Sequence, residues 1–259
     1  MRIIISPAKK MNDDLDGLPP RDLPALLEET ERLLSHLKGL SLPELKKLLA
    51  CNDQLAELNF RRFQTMDLRR RLTPALLAYE GIQYRYMAPG VFSQGALAYV
   101  QEHLRILSGF YGVLRPFDGV TPYRLEMQAR LKTPFCKDLY GFWGGRLAEA
   151  LEPDGVVVDL ASGEYSKAVI PHLPAGTRVI TPVFGELRDD GKVVEKGVHV
   201  KMARGEMVRF AAENAAKAPE ELRAFDRLGY RFAPSLSSEE TYVFTRKEAP
   251  TARKKVGKL

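Results

Sequence analysis

The residues of this 259-residue chain best suited to chemistry are cations, with a few carboxylates and phenols, placed at the ends of apolar runs. Lys9 follows the β-branched run RIII at 2 to 5, in a loop SPAKK that leaves a buried strand. The strand VVVDLAS at 156 to 162 delivers Asp159 and Ser162 at its end, and Glu164, Tyr165 and Lys167 follow in GEYSKAVI. There strand, polar loop and helix succeed one another, the layout that delivers functional groups to the carboxyl end of a sheet. Lys201 and Arg204 lie near each other on one face of the helical segment KMARGEMVRFAAENA, whose other face carries Ala203, Met207, Phe210, Ala211 and Asn214. Lysine and arginine in such places hold phosphate oxygens or other anions through charge-assisted hydrogen bonds. Asp159, Tyr165 and Glu126 are the candidates for proton transfer. On residue type alone, the group at 159 to 167 equally caps a helix and faces water.

The densest concentration is LRILSGFYGVLRPFDGVTPYRLEM at 104 to 127, with Arg105, Arg115 and Arg124 among four aromatic residues. Apolar positions at Leu97, Val100, Leu104 and Leu107, capped by Ser93, predict a helix from 94 towards Gly109. A tight turn through Gly109, Phe110, Tyr111 and Gly112 follows, and Pro116 ends the unit because it donates no backbone N–H. A helix-hairpin-helix holds duplex DNA through backbone N–H groups of a glycine turn, with flanking cations on phosphates. This turn suits that role in kind, with GxxG spacing where the usual module has GxG. In the competing reading, Phe110 and Tyr111 plug the core and the glycines only turn the chain.

Other elements position these groups. Leucines at 23, 26, 27, 33, 34 and 37 predict a helix over 22 to 38, Ser41 with Glu44 a capping box, and Asn52 the cap of a third helix. Together they form a helical subdomain near 20 to 80. RVITPVFGEL and KVVEKGVHV, joined by RDDG, predict a β-hairpin. Gly205 inside a helix costs about 1 kcal/mol against Ala and marks a close backbone approach. The fold class is therefore α/β, a mixed sheet with surrounding helices in one domain over 1 to 248, followed by a basic, disordered tail at 249 to 259.

The net charge of +6 would suggest a nucleic-acid partner, but residues 246 to 259 alone carry six basic residues against Glu248, leaving 33 basic and 32 acidic in the body. Within that body, residues 105 to 146 hold seven basic and three acidic groups, and 147 to 200 five basic and nine acidic, so charge is polarised. No apolar run reaches the roughly 18 residues of a membrane span, and the first ten residues make no signal peptide, which predicts a cytosolic protein. Cys51 and Cys136 have no CxxC partner, and His36, His103, His172 and His199 show no ligand spacing, so neither a metal nor a cofactor is implied. No P-loop, GxGxxG, GxSxG or kinase pattern occurs.

The pieces IISPAK at 4 to 9, LRILSGFYGVLRPFD at 104 to 118, PYRLEM at 122 to 127, KDLYGFWG at 137 to 144, DLASGEYSK at 159 to 167, KMARGEMVRF at 201 to 210 and GYRF at 229 to 232 resemble the YaaA family of peroxide-stress proteins. The resemblance covers nearly the whole chain up to about residue 248. It implies a cytosolic protein that limits oxidative damage when hydrogen peroxide rises, through low free iron and less Fenton chemistry. It also implies an α/β fold with a helix-hairpin-helix-like element and a positively charged cleft that binds double-stranded DNA. Carried onto this chain, the anion-binding candidates are Lys9, Arg105, Arg115, Arg124, Lys137, Lys167, Lys201 and Arg204. The alternative is an enzyme acting on a nucleotide or other phosphorylated small molecule in the same cleft, with Lys9, Glu126, Asp159, Tyr165 and Lys201 converging.

Overall fold

A computed structural model describes residues 1–13 and 17–247. The run at the amino terminus forms β1 (Arg2–Ile5), with Ile3, Ile4 and Ile5 all at 1% exposure or less. Burial on both faces explains why the run is continuously apolar instead of alternating, as expected of a strand in a covered parallel sheet. β1 is flanked by β2 (Leu104–Ser108) and β4 (Val156–Leu160), parallel to both, with Ile5 opposite Ile106 on one side and Leu160 on the other. Beyond β4 lie β5 (Arg178–Leu187) and β8 (Thr241–Lys247), also parallel. Three antiparallel strands complete the eight-stranded sheet: β3 (Gly112–Leu114) on β2, β6 (Val193–Val194) on β5 and β7 (Arg231–Phe232) on β8. The chain moves from β1 to β2 on one side and returns to β4 on the other. The ends of β1 and β4 therefore border a topological switch point, where open α/β sheets hold their ligands.

The stretch at 104 to 127 differs from its predicted form. The helix starting at 94 is real, α5 (Gln94–His103), with the Ser93 hydroxyl accepting the Ala96 N–H at 3.2 Å, but it ends at His103 and the chain becomes β2. The turn at 109 to 111 joins β2 to β3, so the unit is a β-hairpin with Ser108 opposite Gly112, not a helix-hairpin-helix. Every residue of β2 is buried, and a strand buried on both faces can carry apolar residues at helical spacing as easily as any other. The hairpin predicted at RDDG also forms, but only Val193 and Val194 pair with β5. The chain from Gly197 is already the helix α9 (Gly197–Glu213).

The helices predicted before residue 80 are α1 (Leu27–Lys38), α2 (Leu42–Leu49) and α3 (Asp53–Thr65). Glu44 accepts the Ser41 N–H at 2.8 Å and the Asn52 side chain accepts the Leu55 N–H at 3.0 Å, as the capping signals predict. Phe63 of α3 packs on Phe110 with ring centroids 5.8 Å apart, so these helices share the core of the sheet. Also in the fold are α4 (Ile82–Met87), α6 (Leu139–Trp143), α7 (Arg146–Leu151) and α8 (Gly163–Val169), the last following β4. Among the described residues no helix is long and apolar enough to cross a membrane. The basic tail at 249 to 259 lies outside the described residues.

Candidate anion-binding cavity

At the switch point, the loop after β1, the loop after β4, helices α4 and α9 and the segment 123 to 126 enclose a cavity of about 500 Å³. Its walls carry Lys9, Lys10, Arg124, Lys201 and Arg204 against Glu80, Glu126 and Glu164.

Two close backbone approaches set this geometry. A Cβ on Gly205 would lie 2.1 Å from the Gln83 carbonyl oxygen, so α9 can rest directly on α4 only because residue 205 has no side chain. Lys201 and Arg204 are thereby brought over the cavity, and the close approach predicted at Gly205 is present. A Cβ on Gly109 would meet the Leu125 carbonyl oxygen at 2.5 Å, so the hairpin turn backs the segment that bears Arg124 and Glu126.

Internal bonds hold the loops. Ser6 Oγ accepts the Ser162 N–H at 2.8 Å, tying the β1 loop to the β4 loop, and the Tyr84 hydroxyl donates to the Ser6 carbonyl at 3.0 Å. Asp159 accepts from the Ala161 N–H and the Ser166 hydroxyl, each at 2.9 Å. Burial pushes the Asp159 carboxyl up, while those two bonds and the Arg204 charge pull it back. Asp159 thus braces the loop from beneath. Tyr84, Tyr123 and Tyr165 line the wall as neutral phenols, their acidity suppressed chiefly by burial. They can stack or hydrogen-bond, but they cannot act as bases near neutral pH.

Glu126, 16% exposed, receives Lys9 at 2.9 Å and Arg124 at 3.1 Å. Lys10 pairs with Glu80. Lys201 and Arg204 have no ion-pair partner within 4 Å among the described residues. Burial depresses the Arg204 guanidinium, with Asp159 and Glu195 opposing at longer range. Three buried side-chain donor atoms among the described residues lack a hydrogen-bond partner. They are Gln83 Nε2, Arg124 Nε and Arg204 Nε, and all belong to residues lining this cavity. Buried donors without acceptors are costly, and all three belong to residues of one cavity wall that also carries Lys201.

Of the sequence candidates, Lys9, Arg124, Glu126, Tyr165, Lys201 and Arg204 meet here, with Asp159 just behind. Arg105 does not. Its guanidinium turns to the amino end of the strands and donates to the Gln101, Glu102 and Leu104 carbonyls, and burial lowers it to about 10. Arg115, after β3, lies at that same end beside Asp118 at 3.4 Å and Asp22 at 3.8 Å. Lys137 and Lys167 are exposed and outside the lining, Lys167 standing over the Tyr140 ring at 4.5 Å. Phe110 and Tyr111 are fully buried, and both of their N–H groups are spent on Ser108 Oγ, at 3.1 and 2.8 Å. The two aromatic residues of the turn therefore plug the core, and neither of their N–H groups is left for a phosphate.

The family model described as peroxide stress protein YaaA matches residues 1–236. The chain belongs to the YaaA family. A UPF0246 protein of Desulfitobacterium hafniense is 56% identical over 247 residues, covering 95% of this chain and 98% of the relative. A UPF0246 protein of Agathobacter rectalis is 51% identical over 250 residues, covering 96% and 100% respectively. In this YaaA-family chain, sequence reasoning missed Ser6, Gln83, Tyr84 and Tyr123 as cavity residues. Ser6 and Tyr123 sit inside the motifs IISPAK and PYRLEM that carry the family resemblance, which is a usable signal. Gln83 and Tyr84 come from IQYRYM, where nothing in residue type or spacing marks a site.

Proposed function

We propose that the cavity binds a phosphorylated small molecule, a nucleotide being the class its size and its tyrosine wall suit. The observation that carries this reading is a single cavity wall bearing Gln83, Arg124 and Arg204, each with a buried N–H donor that has no hydrogen-bond partner. Lys201 adds a cation without an ion-pair partner among the described residues. Bidentate guanidinium groups and amide donors are the groups that satisfy phosphate oxygens. Pockets of a few hundred Å³ at the carboxyl ends of parallel strands are ordinary small-ligand sites. Protection against peroxide damage, through lowered free iron and reduced Fenton chemistry, is the physiological setting we infer from family membership.

A second reading, duplex DNA held on the rim, is supported by the exposure of Lys9, whose side chain is 68% accessible, and of Lys167. Titration calorimetry separates the two. Inorganic phosphate, nucleoside monophosphates and nucleoside triphosphates are each titrated into the full chain, beside a DNA duplex across a salt series. Saturable binding of a nucleotide that Lys201→Ala weakens supports the first reading. Duplex binding whose salt slope falls by about 0.9 for each cation removed, with no nucleotide bound, supports the second.

A further inference from the structure

A second cavity of about 820 Å³ adjoins the first and shares Glu126 with it. Its lining includes Leu40, Leu48 and Leu131, and its charged residues are Lys47, Arg130 and Lys132 with Glu44 and the shared Glu126, a net excess of one cation. These three cations are exposed and have no ion-pair partner among the described residues. The link between the cavities is the segment 123 to 132, which alternates strictly. Tyr123, Leu125, Met127, Ala129 and Leu131 are buried at 8% exposure or less, while Arg124 and Glu126 are half-buried and Gln128, Arg130 and Lys132 are exposed. One strip of backbone therefore presents cations to both cavities, and the strip is fixed in advance. Gly109 packs against it, and the Glu164 carboxylate accepts the Gln128 N–H at 3.2 Å.

On the reading that the first cavity holds a nucleotide, we propose that the second is a subsite of the same site, taking the next nucleotide unit of a phosphodiester-linked ligand. The first unit sits among Arg124, Lys201 and Arg204. The linking phosphate passes Glu126, whose charge Lys9 and Arg124 neutralise, towards Arg130 and Lys132. The second base lies on the leucines. Apolar side chains beside unpaired cations are the combination that takes a flat base and its phosphate together. Neither cavity, at these volumes, admits a double helix. The ligand is two joined nucleotide units, from a free dinucleotide or from an unpaired stretch of a nucleic-acid strand.

The test uses the full chain and three probes: thymidine 5′-monophosphate, the 5′-phosphorylated dinucleotide pTpT, and a six-residue thymidylate strand. The proposal expects pTpT to bind about tenfold tighter than the monophosphate, the gain expected of a few exposed charge contacts. The combined variant Lys47→Ala, Arg130→Ala, Lys132→Ala should remove that gain and leave monophosphate affinity unchanged. A further gain for the six-residue strand identifies a strand as the source, and equal affinity a free dinucleotide. Equal binding of monophosphate and pTpT, with the triple variant silent and Lys201→Ala still weakening both, overturns the subsite while the first cavity stands. Binding of no probe overturns both readings.

Discussion

Arg204→Met separates a ligand-holding arginine from a structural one. Methionine keeps most of the length and apolar body of the side chain, and the contact of the Gly205 backbone with α4 is untouched. What is lost is a buried guanidinium whose Nε has no acceptor and which makes no ion pair among the described residues. An unpaired buried donor costs on the order of 1–3 kcal/mol. Against that gain stands Asp159, which Arg204 helps to keep ionised, so part of it returns as a further rise of the Asp159 carboxyl. The balance is a ligand-free protein more stable by about 1 kcal/mol, comparable to the neutral-to-favourable effect of replacing other buried charges. For a chain of this size the melting temperature rises by roughly 2–4 °C. In differential scanning fluorimetry a nucleotide at 100 times its Kd should stabilise the wild type by about 2.7 kcal/mol and the variant not at all. Arg204→Lys, which keeps the charge without the planar fork, should retain part of the ligand shift. A lower melting temperature in Arg204→Met with an undiminished ligand shift would refute the reasoning, because Arg204 would then be a structural support.

Gly205→Ala forces a methyl group against the Gln83 carbonyl, which as backbone cannot swing away. Urea denaturation should show a loss of about 1–3 kcal/mol, together with weaker anion binding because α9 carries Lys201 and Arg204. Glu126→Gln removes the carboxylate that occupies Lys9 and Arg124. Phosphate affinity measured by calorimetry should tighten by about tenfold, the effect of one partly screened charge at close range, and weaker binding would make Glu126 a ligand-contacting acceptor. Asp118, 1% exposed, has its carboxyl raised to about 6, mainly by burial. Its folded value lies above the unfolded one, so the folded chain holds the proton more tightly and stability falls as pH rises from about 4 to about 6, by roughly 3 kcal/mol. Asp118→Asn should flatten that slope and be the more stable protein at pH 8, checked by denaturation at a series of pH values. Glu186 has the opposite signature. Lys196 and Arg246 lower it to about 2, so its contribution is complete above the ordinary carboxylate range and is lost as pH falls towards 2.

Half of the cavity was legible in the chain and half was not, for physical reasons. RIII followed by SPAK, and VVVDL followed by ASGEY, mark buried strands that deliver polar loops to one end of a sheet, and both loops line the site. Gly205 was legible because glycine inside a helix is costly unless something lies against it. Arg105 and Arg115 were misplaced because residue type reports a charge but not which end of a strand it faces. Arg105 sits one residue into β2 and finds its acceptors in the carbonyls just before and at the start of that strand. Leu104 to Ser108 passed for helix because a strand covered on both faces has no alternation to betray it.

The hairpin that looked like a clamp for phosphate contributes to the site indirectly. Its turn spends the Phe110 and Tyr111 N–H groups on Ser108 and buries both aromatic residues. Ser108 in turn meets the Tyr123 hydroxyl at 2.5 Å, and Tyr123 lines the cavity. With Gly109 seated against Leu125 and Glu126, the hairpin fixes where the alternating strip from Arg124 to Lys132 begins. A bulkier residue at 109 would move Arg124 and Glu126 without touching any group that contacts a ligand. Gly109→Ala should therefore weaken binding in both cavities together, whereas a change at Lys47 affects only the second.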